Sequence, residues 1–164
     1  MGSGNKGLYS GARTSCPVPV AGEIVFRSKE YQYFNNIMRR SDVDPKGQFD
    51  VVAHGPPTHI QVEINGKTQL LDARSVARIM KHNSKHQRKQ PIRLLSCLTG
   101  SKADSFAQNL ANKMNVTVYA PTHLVWAYPN GRHFVAPRDP KNPKYPHPSI
   151  RGKFIPFYPG GKKR

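Results

Sequence analysis

The sequence predicts an α/β domain: a central, mostly parallel sheet flanked by helices, with edge hairpins and a Pro-rich basic C-terminal wrap. Two observations carry this. Phe49–Ala53 and Ile92–Leu95 are short apolar runs of buried-strand character, each followed by turn residues and then by apolar residues at helical spacing. Strand-like and helix-like stretches also alternate along the chain, as crossover-connected parallel strands require.

The elements follow in order. Residues 1–22 form a flexible leader rich in Gly, Ser and Pro, with Val18-Pro19-Val20 extended. Residues 23–164 form one domain. Glu23–Phe26 reads as its first strand. A helix spans Ser28–Arg40, capped by Ser28 and with Tyr31, Phe34 and Met38 on one face. Asp42–Gly47 is a turn, and Phe49–Ala53 is a central strand. His59–Ile64 alternates with period two, Asn65-Gly66 is a hairpin turn, and Lys67–Leu71 returns. Asp72 caps a helix from Ala73 to about Lys81, with Val76, Ile79 and Met80 inward. Ser84–Gln90 is a charged loop, and Ile92–Leu95 is the second central strand. Thr99-Gly100-Ser101 turns into a helix over Lys102–Asn115, with Phe106, Leu110 and Met114 on one face. Val116–Ala120 is a third strand. Leu124–Tyr128 and Arg132–Ala136 flank a Pro129-Asn130-Gly131 turn. From Pro137 on, the chain is basic, Pro-rich and scattered with aromatics.

Composition narrows the partners. The 164 residues carry 26 Lys and Arg against 9 Asp and Glu, a formal charge of +17. A charge of that size calls for a polyanionic or acidic partner: nucleic acid, an anionic surface, a phosphorylated molecule or an acidic protein. Cys16 and Cys97 are too few for a disulfide framework and read as two free thiols in a reducing site of action. No apolar run approaches membrane-spanning length, and Met1–Gly11 lacks the apolar core of a signal peptide.

The candidate chemistry sits at the two strand ends. Phe49–Ala53 runs into His54-Gly55, and Ile92–Leu95 runs into Ser96-Cys97. Functional groups of open α/β sheets gather outside the carboxyl ends of the parallel strands. A thiol attacks as thiolate, and an imidazole beside it can take its proton. Gly55 and Gly100 fit places where backbone comes close to a substrate. The N–H groups of Gly55 and Cys97 are candidate oxyanion donors. Ser96 and Thr99 stand beside Cys97 as supporting or substrate-contacting positions. The alternative for the pair is a buried core thiol and a strand-end histidine with a local partner.

No cofactor or metal is expected. His82 and His86 have helical i, i+4 spacing, but Lys81, Lys85, Arg88 and Lys89 surround them, so they read as a basic helix end. Asp42 and Asp44 read as turn residues. The nine acids form no cluster fit for two metals. The basic, aromatic tail suits either single-stranded nucleic acid or packing over the sheet edge.

These motifs carry a resemblance. A strand ending His-Gly followed by a strand ending Ser-Cys resembles the caspase-like cysteine peptidases, most of all the self-processing protease domains of large bacterial toxins. Separately, Tyr31–Gly161 resembles C-terminal toxin domains of bacterial polymorphic toxins of the Rhs and contact-dependent-inhibition types. The pieces are Tyr33-Phe34-Asn35-Asn36-Ile37, Phe49–Gly55, Leu94–Gly100, Phe106–Ala111, Ala120-Pro121-Thr122, Trp126–Gly131 and Phe157–Gly161. The resemblance implies a caspase-like fold, His54 as general base, Cys97 as nucleophile, and Gly55 and Cys97 N–H as oxyanion donors. It implies delivery as part of a larger secreted effector, action in the target-cell cytoplasm on a protein substrate, no membrane partner, and a cognate immunity protein, which the charge suggests is acidic. Two other classes stay open: a basic, metal-independent ribonuclease toxin with Cys97 structural, and a non-enzymatic module binding nucleic acid or acidic protein.

Overall fold

The computed structural model describes residues 18–20 and 22–161. Cys16 and most of the leader lie outside the described residues. Ten strands and three α-helices follow in order among those described: β1 Val18–Val20, β2 Glu23–Val25, α1 Tyr31–Ile37, β3 Phe49–Val52, β4 Ile60–Ile64, β5 Lys67–Leu71, α2 Ala73–Asn83, β6 Ile92–Leu95, α3 Phe106–Met114, β7 Val118–Pro121, β8 Leu124–Ala127, β9 His133–Ala136 and β10 Phe154–Phe157.

Six strands form the central sheet in the order β1-β2-β3-β6-β7-β10. β2, β3, β6 and β7 are parallel neighbours, while β1 and β10 close the edges antiparallel. The fold is therefore mixed α/β with a mostly parallel central sheet and flanking helices. Both hairpins form, but neither extends this sheet: β4–β5 and β8–β9 are separate two-stranded sheets. The edges are taken by β1 and β10, so the hairpins pack on the faces instead of at the margins.

Strand alternation sorts the core into two layers. Ile24, Phe49, Val51, Ile92, Leu94 and Val118 pack with α2, α3 and the β4–β5 hairpin. Val25, Val52 and Leu95 point to the other side, against Phe34 and Ile37 of α1 and Val125 and Val135 of β8–β9. β3 and β6 read as continuous apolar runs because both faces are covered, the expected signature of a buried parallel strand.

Two helices start later than their sequence signals. Ser28 does not cap α1: its hydroxyl is buried without a hydrogen-bond partner, and Glu30 holds the cap position. α3 begins at Phe106, because the chain from Ser101 is spent on a turn; the Phe106 and Ala107 N–H groups donate to the carbonyls of Pro57 and Thr99. α2 is capped as expected, with Asp72 Oδ1 accepting from the Ser75 N–H at 2.9 Å. β10 escaped the sequence reading because Pro156 interrupts it; at a sheet edge, a missing N–H costs no ladder bond.

The face bearing α1 also holds a charged cluster under the start of the strands. Glu23, Asp50 and Arg93 are cross-strand neighbours on β2, β3 and β6. Arg40 bridges Glu23 and Asp50, and Arg93 grips Asp50 through Nε at 2.8 Å and Nη2 at 2.7 Å. Asp42 continues the chain of contacts, accepting from Arg93 at 3.0 Å and lying 3.1 Å from His133 Nε2. Burial alone would raise the Asp42 carboxyl; hydrogen bonds and charge from Arg93 and His133 overcome it and hold it at about 2.

Candidate active site

The strand register explains how His54 and Cys97 meet. β3 and β6 pair Asp50 with Arg93 and Val52 with Leu95. Side chains two residues apart share a face. One further step along each strand reaches His54 and Cys97, on the same face and at the carboxyl ends. Both line one cavity of about 370 Å³.

Each wall comes from a different part of the chain. α1 and the residue that precedes it contribute Glu30, Gln32, Tyr33 and Asn36; β8 contributes Leu124 to Ala127; the C-terminal segment contributes Arg138 and Lys144. Asn36 Nδ2 donates to the Ala127 carbonyl at 2.9 Å, tying α1 to β8. The Tyr33 hydroxyl donates to the Leu95 carbonyl at 2.5 Å, fixing the end of β6 just before Cys97. Burial, reinforced by the nearby Cys97, holds the Tyr33 phenol well above its ordinary pKa, so it stays protonated.

Burial favours the neutral form of both side chains. Burial pushes the Cys97 thiol up, against the opposing pull of the Val125 N–H and the Arg138 charge. The Val125 N–H donates to Cys97 Sγ at 3.3 Å. Burial pulls the His54 pKa down, and the Glu30 charge opposes it. His54 Nε2 lies 4.0 Å from Glu30 Oε2, with the imidazole 31% and the carboxylate 56% exposed. No hydrogen bond links His54 to Cys97 in this resting arrangement. Apo sites often tighten such contacts only around substrate.

The turn after Cys97 is tightly specified. Leu98 takes a left-handed φ of 63°, a conformation that costs a side-chain-bearing residue roughly 1–2 kcal/mol. It is held by its N–H to the His123 carbonyl at 3.0 Å and by the Gly100 N–H to the Pro121 carbonyl at 3.0 Å. A Cβ on Gly100 would sit 2.8 Å from the Ala120 carbonyl oxygen, so glycine lets this turn press on β7. A Cβ on Gly55 would sit 2.6 Å from the His59 carbonyl oxygen. Both glycines thus serve close backbone packing. Ser96 and Thr99 are buried and absent from the cavity wall; Thr99 Oγ1 donates to the Ser96 carbonyl at 2.8 Å and supports the turn.

No group of three or more His, Cys, Asp or Glu side chains suited to a metal occurs among the described residues. α2 ends at Asn83, so His82 and His86 do not share a helix; His86 instead contacts the Gln90 carbonyl at 2.8 Å and meets the Phe49 ring edge-on. No helix among the described residues is long and apolar enough to cross a membrane.

Residues 24–135 match the profile of a family described as a domain of unknown function, DUF8616. The chain belongs to the DUF8616 family. No curated protein matches it. The matched span runs from β2 into β9 and includes His54, Cys97 and the α1 and β8 walls of the cavity. Arg138 and Lys144 follow it in sequence.

Sequence reasoning singled out His54 and Cys97 but not Glu30 or the two basic residues. In sequence, Glu30 stands near a helix start, where acids are common, so nothing local sets it apart. Arg138 and Lys144 lie in a segment without periodicity, where nothing local marks a residue that faces a distant strand end.

Proposed function

We propose that this cavity is the active site of a cysteine-nucleophile hydrolase, in its simplest form a peptidase with a caspase-like arrangement. The observation that carries the reading is the convergence of His54 and Cys97, from the carboxyl ends of neighbouring parallel strands, on one cavity.

The protonation states favour one order of events. The thiol is protonated and the imidazole neutral at neutral pH. His54 therefore takes the Cys97 proton as sulfur attacks the scissile carbonyl, so the thiolate forms only in the act of bond formation. The Cys97 N–H, on a residue of the cavity wall, forms no hydrogen bond to another described residue and is the candidate donor to the oxyanion; the Gly55 N–H is likewise unbonded, but Gly55 is absent from that wall. His54, now imidazolium, gives its proton to the leaving amine. Water, deprotonated by the same imidazole, then cleaves the thioester and restores the thiol.

The biological setting we propose is an antibacterial toxin delivered within a larger effector and acting on a cytosolic protein of the target cell. In its support, Tyr33, Asn36, His54, Cys97, Trp126 and Ala127, all from the motifs that resemble polymorphic toxin domains, line the same cavity. The charge of +17 favours an acidic immunity protein. The ribonuclease reading draws on a different pair: Arg138 and Lys144 beside His54 could steady a phosphodiester.

Expression of wild type, Cys97→Ala and His54→Ala from a tight promoter tests this. Both substitutions should cut toxicity and protein fragmentation by at least about 100-fold, with total RNA intact. Full toxicity in Cys97→Ala overturns the thiol mechanism. RNA cleavage surviving that substitution assigns the domain to the ribonucleases.

A further inference from the structure

The geometry points to Glu30 as the residue that positions His54 and supports its work as a base, making the site a carboxylate–imidazole–thiol series. This rests on the reading of Cys97 as nucleophile.

Three features single out Glu30. It lines the same cavity as His54 and Cys97. Its Oε2 stands 4.0 Å from His54 Nε2, ion-pair distance, and leaves the other ring nitrogen free to face elsewhere. Its backbone is anchored, because the Glu30 carbonyl accepts the Phe34 N–H at 3.1 Å and opens α1, yet its side chain takes no part in the cap. A side chain at a helix cap position that ignores the helix and faces an imidazole is free for another task.

The other charged and titratable groups around the cavity do not offer this service. Arg138 and Lys144 are cations and would oppose an imidazolium; Tyr33 is protonated and committed to the Leu95 carbonyl; Cys97 is the proton donor. Taking the thiol proton turns His54 into a cation in a partly buried site. Glu30 is the one carboxylate lining this cavity among the described residues, and its charge stabilises that cation as it forms. The proton itself moves only between Cys97 and His54.

The test measures the histidine and the thiol separately. The His54 pKa is read by NMR in wild type, Glu30→Gln and Glu30→Asp, and the rate of Cys97 alkylation by iodoacetamide is followed against pH in the same proteins and in His54→Ala. Glu30→Gln should lower the His54 pKa, move the acid limb of the alkylation profile to lower pH, and slow its plateau by about 1.5- to 5-fold, the range of a solvent-exposed ion pair. Glu30→Asp should restore part of both. A His54 pKa unchanged in Glu30→Gln overturns the inference. A pKa that moves while alkylation ignores both Glu30→Gln and His54→Ala removes the positioning role and the dyad together. Alkylation that needs His54 but not Glu30 leaves the dyad standing and removes Glu30 alone.

Discussion

The two ends of one sheet face treat charge in opposite ways. At the start of the strands, Glu23, Arg40, Asp50 and Arg93 are buried and joined by direct ion pairs. At the carboxyl end, only four residues along β3 and β6, a carboxylate stands off an imidazole at 4.0 Å and a thiol has a backbone amide for company. Between them lies an apolar row of Val25, Val52 and Leu95. A charge at the first end has a fixed partner and nothing left to do. The groups at the second end are underused, and underused groups are available for chemistry. Such a division gives the first end a stabilising role, and under the function proposed above it leaves the second for activity.

The sharpest break of that comparison is Asp50→Ala. It leaves Arg40 and Arg93 buried without their shared acceptor and should cost about 3–5 kcal/mol, measured by urea unfolding. Cys97→Ala should cost well under half of that in the same assay. Equal losses would erase the distinction between the ends.

A second, smaller effect is the acid response. The Asp42 carboxyl sits at about 2 in the folded chain, below its unfolded value. The stability this provides is complete above about pH 4 and is lost as pH falls through about 2. Urea midpoints should therefore fall below about pH 4, and Asp42→Asn should flatten that fall. An identical fall in the variant would remove Asp42 from the account.

The smallest effect probes the cationic wall. Arg138 and Lys144 should favour an anionic reagent at Cys97, so Lys144→Glu should lower the iodoacetate-to-iodoacetamide rate ratio by about two- to threefold at low salt, and less at high salt. An unchanged ratio would place the Lys144 charge too far from sulfur to matter.

Much of the architecture was legible in local sequence. β3 and β6 declared themselves as apolar runs, and the Asn65-Gly66 and Pro129-Asn130-Gly131 turns marked both hairpins. His54 and Cys97 could be found because a strand end is a local feature with a known tendency to carry function. The ion cluster could not: Asp50 lies inside an apolar run, and its meaning depends on Arg40 and Arg93, brought to it by the turn after α1 and by β3–β6 pairing. The helix starts were misplaced for a similar reason, since Ser28 has a capping side chain that burial has claimed and the turn after Cys97 consumes the residues before Phe106. Arg138 and Lys144 depend on the course of an irregular segment, which no period describes.

The edge position of β10 has a consequence for the order of assembly. Synthesis proceeds from the N-terminus. All four parallel strands, with His54 and Cys97, leave the ribosome before Arg138, Lys144 and the strand that pairs on β7. The thiol and the imidazole are thus made before the Arg138 and Lys144 wall of their cavity, which a later segment supplies.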